Sequence, residues 1–255
     1  MKASPERRRF LVRALAAGGA LFLSGCERLS RSGWFPDVLA QAERLTHAAQ
    51  RLVVGRAAMA QEFTEADISP RFRSNGTAEP QSATYQALAD GGFAGYRLEV
   101  RGLVEQPLSL TLDEVRALPS RTQITRHDCV EGWSAIGKWK GARLGALLAL
   151  ARPRPEARYV VLRCADPMDG RGTLYYESID LDDAYHEQTL LAYELNGQTL
   201  PVANGAPLRL RVERQLGYKM AKYVMAVELV ASLQGIGGGK GGYWEDQGYE
   251  WWAGI

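Results

Sequence analysis

The densest run of reactive side chains is Arg126-His127-Asp128-Cys129-Val130-Glu131-Gly132-Trp133-Ser134. A thiolate is a soft ligand and suits soft or redox-active metals. His127 lies two positions before Cys129, and on a strand such side chains share a face. That is also the layout of a Cys-His nucleophile. A lone cysteine is as often a buried structural residue, so the local pattern leaves three readings open. A second region combines Asn204-Gly205-Ala206-Pro207-Leu208-Arg209 with Gln215-Leu216-Gly217-Tyr218-Lys219. An arginine and a lysine converging from two loops suit a phosphate or another anion. Gly217 would let the backbone approach such a ligand closely. The competing reading is ordinary exposed strand charge. His186 and Cys164 are weaker signals, the latter in an apolar strand.

These residues need a scaffold that brings them together. Tyr96, Leu98 and Val100 alternate with Arg97, Glu99 and Arg101, the period of a half-buried strand. Thr111-Leu112-Asp113-Glu114 has the capping-box pattern and predicts a short helix ending before Pro119. Strands are expected at Ile124–Val130, Tyr159–Cys164, Leu208–Val212 and Tyr223–Val230. Further helices are expected at Leu144–Ala151 and Ile179–Tyr185. Leu191–Val202 reads as a hairpin turning at Asn196-Gly197. Upstream, residues 38–59 suggest a helical tether and residues 71–95 an ordered loop. The sum is a mixed α+β, strand-rich domain. Beyond it lies a tail with glycine at most positions of 235–242, followed by Tyr243-Trp244-Glu245 and Tyr249-Glu250-Trp251-Trp252. A flexible linker would not end in such aromatics. The tail is expected to pack back on the domain or to offer a docking surface.

The 255 residues are 46% hydrophobic and 24% charged, ordinary for a globular chain and unlike a disordered or multi-span membrane one. The formal charge is +2, but residues 1–25 hold Lys2, Arg7, Arg8, Arg9 and Arg13 against Glu6. Without that segment the charge is −2, which gives no electrostatic case for nucleic acid. The same segment reads as an export signal. Paired arginines precede Phe10-Leu11, a short apolar run follows from Ala14 to Leu23, and Leu23-Ser24-Gly25-Cys26 resembles a lipobox. The expected organisation is an export signal at 1–25, a tether or peripheral segment at 26–70, the main domain at 71–232 and the tail at 233–255.

The motifs Cys129-Val130-Glu131-Gly132-Trp133-Ser134, Asn204 to Arg209 and Gly217-Tyr218-Lys219 together resemble the sulfite-oxidase-type molybdopterin-binding family. The resemblance is to its bacterial branch, which includes the molybdenum subunit of a periplasmic methionine sulfoxide reductase. It implies a mixed α+β molybdopterin-binding domain around a single molybdenum per chain, held by the pterin and by one protein thiolate. Cys129 is that thiolate by resemblance, and Glu131 matches an acid near the metal and a candidate proton donor if buried. Arg209 and Lys219 match residues holding the pterin phosphate, with Asn204, Gly217 and Tyr218 lining the same site. Arg73 and Asn75 fall in a loop that touches the cofactor in relatives, and His186 matches a histidine of the bacterial members. True sulfite oxidases carry an arginine just after the metal cysteine, whereas here Glu131 and Trp133 occupy that neighbourhood. A carboxylate there repels sulfite, so oxygen-atom transfer from an S-oxide or N-oxide is the expected reaction. With no haem-attachment Cys-x-x-Cys-His in the sequence, electrons are expected from a separate partner such as a membrane b-type cytochrome. Sulfite oxidation, a cofactor-free binding lipoprotein of the same fold and a Cys-His hydrolase are the alternatives.

Overall fold

The computed structural model describes residues 32–170 and 172–255. The twin-arginine segment and Cys26 lie outside those residues. The chain divides after Val53 into two units. In the first, α1 spans Phe35–Val53 and exposes Val38, Leu39, Leu45 and Leu52. It begins earlier and stops sooner than the expected 38–59, with Gly55, a poor helix residue, just beyond its end. No described helix is long and apolar enough to cross a membrane.

The second unit, Val54–Ile255, holds two sheets. One contains β1 (Arg97–Gly102), β2 (Leu108–Thr111), β5 (Tyr159–Pro167), β6 (Leu174–Asp180) and β10 (Val224–Val230), in the order β2-β1-β10-β5-β6. The other contains β3 (Ser120–Cys129), β4 (Trp133–Arg143), β7 (Leu190–Leu195), β8 (Gln198–Thr199) and β9 (Arg209–Arg211), with β7 pairing β4, β8 and β9. The fold class is mixed α+β and strand-rich, as the patterns predict. The main core is apolar and joins both sheets: Leu98, Val100, Val160, Leu162, Val227 and Leu229 bury with Leu191 and Leu210.

The helices are short: α2 (Ala83–Asp90), α3 (Leu112–Arg116), α4 (Leu144–Ala151), α5 (Leu181–Ala184) and α6 (Tyr243–Asp246). α3 has its capping box in full, with Thr111 and Glu114 bonding each other's backbone N–H. α2 lies inside the stretch expected to be loop. Ser82 caps it by accepting from Tyr85 N, and Tyr85 is its one buried residue, so no apolar stripe announced it. Two strands escaped the sequence reading for a related reason. β4 buries Ala135, Gly137, Trp139 and Gly141 on one face, where small residues replace the usual branched ones. A Cβ at Gly141 would stand 2.4 Å from Leu191 O, so the close approach of β7 requires glycine. β6 buries Glu177 and Ser178, which hides its apolar period.

The compact unit is wider than the expected 71–232. Phe63 N donates to Ile124 O and Ser69 N to Ile136 O, at 2.8 and 3.0 Å, which ties residues 54–70 to the second sheet. The tail folds in as well: Leu216 N donates to Ala253 O at 2.9 Å and Trp251 Nε1 to Ser178 Oγ at 2.8 Å.

Candidate active site

Cys129 ends β3 at the tip of a hairpin whose register runs from Ser120 opposite Ala142 to Cys129 opposite Trp133. The turn closes with Gly132 N donating to Cys129 O at 3.0 Å, and Gly132 takes φ +82°, a left-handed value that favours glycine. The half-buried thiol opens on a cleft of about 150 Å³. Five segments wall that cleft: Asn75–Thr77, Cys129–Glu131, the end of β5 with Tyr175, Gly217–Lys222, and the tail through Trp244 and Tyr249. Burial pushes the Cys129 thiol up, while a backbone bond from Glu131 and the charges of Arg209 and Arg73 act in the opposite sense.

Behind the cleft wall lies a cationic cluster. Arg209 on β9 is fully buried; its Nη2 donates to Asn75 Oδ1 at 2.9 Å and its Nη1 to Asn204 O at 3.2 Å. Burial first, then the neighbouring Arg211, lowers its pKa to about 9. Arg211 is held by Glu213 at 2.9 and 2.5 Å. Lys222 lines the cleft itself, and its ammonium donates to Thr77 O, to Ala203 O at 3.0 Å and to Ser74 Oγ at 3.3 Å. Burial, helped by the Arg209 charge, brings Lys222 down to about 7. The acid that opposes this is Asp166, on the same cleft wall, itself pushed up by burial to about 6.

Two buried cations facing one reluctant acid leave a positive surplus that an anion would neutralise. Several buried polar atoms point the same way. Arg209 Nε, Asn204 Nδ2 and His127 Nε2 have no protein partner. Arg211 Nη1 lies 3.1 Å from His127 Nδ1 and must donate, so the ring proton sits on Nε2. Gly217 packs against that ring: a Cβ there would stand 2.4 Å from Nε2. These features fit an elongated anionic cofactor lying between Cys129 and Lys222. No three described His, Cys, Asp or Glu residues cluster to hold a metal ion, so a metal at Cys129 would take its remaining ligands from a cofactor. The nucleophile reading loses its base, because no described histidine hydrogen-bonds Cys129 and the acceptor nitrogen of His127, Nδ1, is already taken by Arg211.

The structure thus gathers Cys129, Asn75, Asn204, Arg209, Gly217 and Tyr218 as the motifs suggest. It treats the other residues differently. Lys219 is not free to meet a phosphate: its Nζ is 2.5 Å from both Glu177 Oε1 and Glu245 Oε1, and all three side chains are fully buried. The cleft lysine is Lys222, three residues on. Glu131 sits exposed at the mouth and accepts from Trp133 Nε1 at 2.9 Å, so the burial that would make it a proton donor is absent. The buried acid of the cleft is Asp166, which the sequence reading missed, together with Thr77. Arg73 is exposed, with its guanidinium 5.2 Å above the Trp133 ring. His186 lies in another pocket with Arg56, Met59 and Tyr185, where its Nε2 is 3.1 Å from Ala58 O and burial lowers its pKa. Two lysines spaced three apart after Gly217 were the available signal for Lys222.

The family model described as "oxidoreductase molybdopterin binding domain" matches residues 86–234. The chain is 39% identical over 252 residues to a putative protein-methionine-sulfoxide reductase subunit YedZ1 of Azospira oryzae, covering 98% of this chain and 88% of that protein. It is 38% identical over 147 residues to the protein-methionine-sulfoxide reductase catalytic subunit MsrP of Xanthomonas axonopodis, covering 54% of this chain and 46% of that one. With the Gluconobacter oxydans MsrP the figures are 36% over 168 residues, 61% and 52%. The chain therefore spans about half the length of these two MsrP relatives. Among solved structures, the sulfane dehydrogenase SoxCD of Paracoccus pantotrophus superposes with a TM-score of 0.49 at 24% identity, over 55% of this chain and 39% of that one.

Proposed function

The chain belongs to the family of molybdopterin-binding oxidoreductases, and from that premise we propose that it reduces an S-oxide, with methionine sulfoxide as the model substrate. The observation that carries this reading is one cleft that joins a half-buried thiol to a buried cationic cluster. Cys129 would bind the metal as thiolate, which reverses the upward push of burial on the free thiol. Arg209, Lys222, Asn204 and Asn75 would hold the phosphate end of the pterin, each from a position fixed before the cofactor arrives. The bound molybdenum–molybdopterin supplies two-electron oxygen-atom transfer. The protein's share is to orient the group and to keep a proton within reach. Asp166, pushed up to about 6, can hold one inside the cleft near neutral pH. A neutral S-oxide needs no cationic docking residue, and Glu131 at the mouth disfavours an anion such as sulfite. The names of the relatives point the same way, toward sulfoxide reduction.

Electrons would come from a separate membrane partner, a b-type cytochrome or its equivalent. The paired arginines ahead of Phe10 and the cysteine at 26 support export of the folded holoprotein and a lipid tether. One experiment tests both parts. Wild type and Cys129→Ser are made in a molybdenum-replete host, separated into cytoplasmic, periplasmic and membrane fractions, and assayed for molybdenum, pterin and sulfoxide reduction. Wild type should carry stoichiometric metal in the exported fractions, and Cys129→Ser should fold but lose metal and activity. Full activity in Cys129→Ser sinks the metal assignment, and holoprotein confined to the cytoplasm sinks the export assignment.

A further inference from the structure

We propose that the C-terminal tail, through Trp244 and Tyr249, forms the wall that binds the apolar substituents of the S-oxide and so sets substrate preference. The inference rests on the sulfoxide-reductase reading and names the part of the substrate it would recognise. The family match ends at residue 234, so this wall is built by residues beyond the matched domain. Both aromatics line the same cleft as Cys129. Their rings lie 5.5 Å apart, and Tyr249 stands edge-to-face on Tyr218 at 5.2 Å, which makes one continuous aromatic surface. Met168 and Met220 add soft apolar surface to the cleft. Against it stands the polar wall of Asn75, Asp166 and Lys222, so the cleft has an anion-binding side and an apolar side.

The wall is held in place by its neighbours. Between Trp244 and Tyr249, Glu245 reaches inward to Lys219 at 2.5 Å. Asp246 accepts from Gly238 N at 2.6 Å and Lys240 N at 3.0 Å, and Tyr249 N donates to Trp244 O at 3.0 Å. Anchoring is therefore carried by the acids and the backbone. The Tyr249 side chain, at 41% exposure, adds no such anchor and is open to solvent at the cleft. A sulfoxide carries a polar S–O bond flanked by two carbon substituents, and sulfur and alkyl groups pack favourably on aromatic faces. The fitting class is a sulfoxide with a flat or extended apolar arm, including a methionine sulfoxide side chain presented by a peptide. Small sulfoxides would leave the wall unused.

The test compares holoenzyme of wild type, Trp244→Ala, Trp244→Phe and the rim variant Tyr249→Ser on methyl phenyl sulfoxide, a methionine-sulfoxide peptide and dimethyl sulfoxide. Pterin content is measured on each protein. Losing one apolar contact surface typically changes discrimination by about tenfold to a hundredfold. The kcat/KM ratio of methyl phenyl sulfoxide to dimethyl sulfoxide should fall by about tenfold in Trp244→Ala and by less in Tyr249→Ser, mostly through KM. Trp244→Phe should recover most of it, and pterin content should match wild type throughout. An unchanged ratio in Trp244→Ala and Tyr249→Ser overturns the proposal. So does a parallel loss of pterin, which would show that the aromatics hold the cofactor. Wild-type holoenzyme that reduces none of the three sulfoxides overturns the sulfoxide-reductase reading, and this inference with it.

Discussion

Replacing Lys219 by methionine should destabilise the tail and leave the cationic cluster of Arg209, Arg211 and Lys222 chemically unchanged. Lys219 Nζ stands between Glu177 Oε1 and Glu245 Oε1, 2.5 Å from each, with no side-chain exposure on any partner. Burial drives the Glu177 carboxyl well above its ordinary range, Lys219 draws it down and Glu245 raises it again. Without the lysine, two carboxylates share a dry site with no cation. Breaking a buried ion pair by deleting one member costs about 3–5 kcal/mol, equivalent to about 10 °C or more in Tm for a unit of this size. Methionine fills much of the same volume, so packing loss is a minor part of that cost. The assay is urea denaturation followed by tryptophan fluorescence, which reports on the tail through Trp244, Trp251 and Trp252. The deficit should depend on pH. A carboxyl whose folded pKa is raised stabilises the fold below its unfolded value near 4.5 and loses that stabilisation as pH rises toward the raised value. The gap between variant and wild type should therefore be small near pH 4 and widen with pH. Glu245→Gln should cost less, because it leaves Lys219 and Glu177 as a neutral pair. A Lys219→Met protein with wild-type stability would refute the reasoning. A stable one that has lost its pterin would instead place Lys219 on the phosphate.

Two further outcomes concern the cationic cluster. Arg209→Gln and Lys222→Gln should each weaken pterin retention by about tenfold to a hundredfold, since a charge-assisted hydrogen bond is worth about 1.5–3 kcal/mol. Pterin per chain after dilution and gel filtration reads this out, and unchanged retention in the double variant would move the anion site elsewhere. Cofactor-free protein should also show the strain at Lys222. Its folded pKa of about 7 lies below the ordinary 10.5, so the unfolded chain binds more protons between those values. Relative to Lys222→Met, the cofactor-free protein should gain stability as pH rises through that window, by up to about 5 kcal/mol. Thermal melts across pH measure it, and a flat difference would show that the lysine is not strained.

The sequence patterns that worked were those with strong local signals. The Thr111/Glu114 capping box, the Asn196-Gly197 turn and the apolar run of α4 each fix their own element and appear where expected. What failed was set by partners distant in the chain. β4 looks unlike a strand because its buried face is built of small residues, chosen by the approach of β7 at Gly141 and of the Phe72 ring at Gly137. β6 looks polar because Glu177 is needed inside. Local propensity cannot report either requirement.

The site shows the same limit more sharply. The motif from Gln215 to Lys219 points to Lys219, whereas the lysine that lines the cleft is Lys222, three residues on. Gly217–Lys219 forms one tight helical turn, and Lys222 lies beyond its end. Lys219 is held away from the cleft by Glu177 and Glu245, 42 and 26 residues away in the chain. The same holds for the acids. Glu131 lies beside Cys129 in sequence, yet the hairpin tip carries it into solvent. Asp166, 37 positions from Cys129 and without a motif of its own, is the cleft acid that burial pushes up to about 6. A motif places a ligand where the backbone places it. The charge state of the groups around that ligand is set by burial and by ion pairs between distant segments, and in this protein those pairs separate a lysine that lines the cleft from one locked between two buried acids.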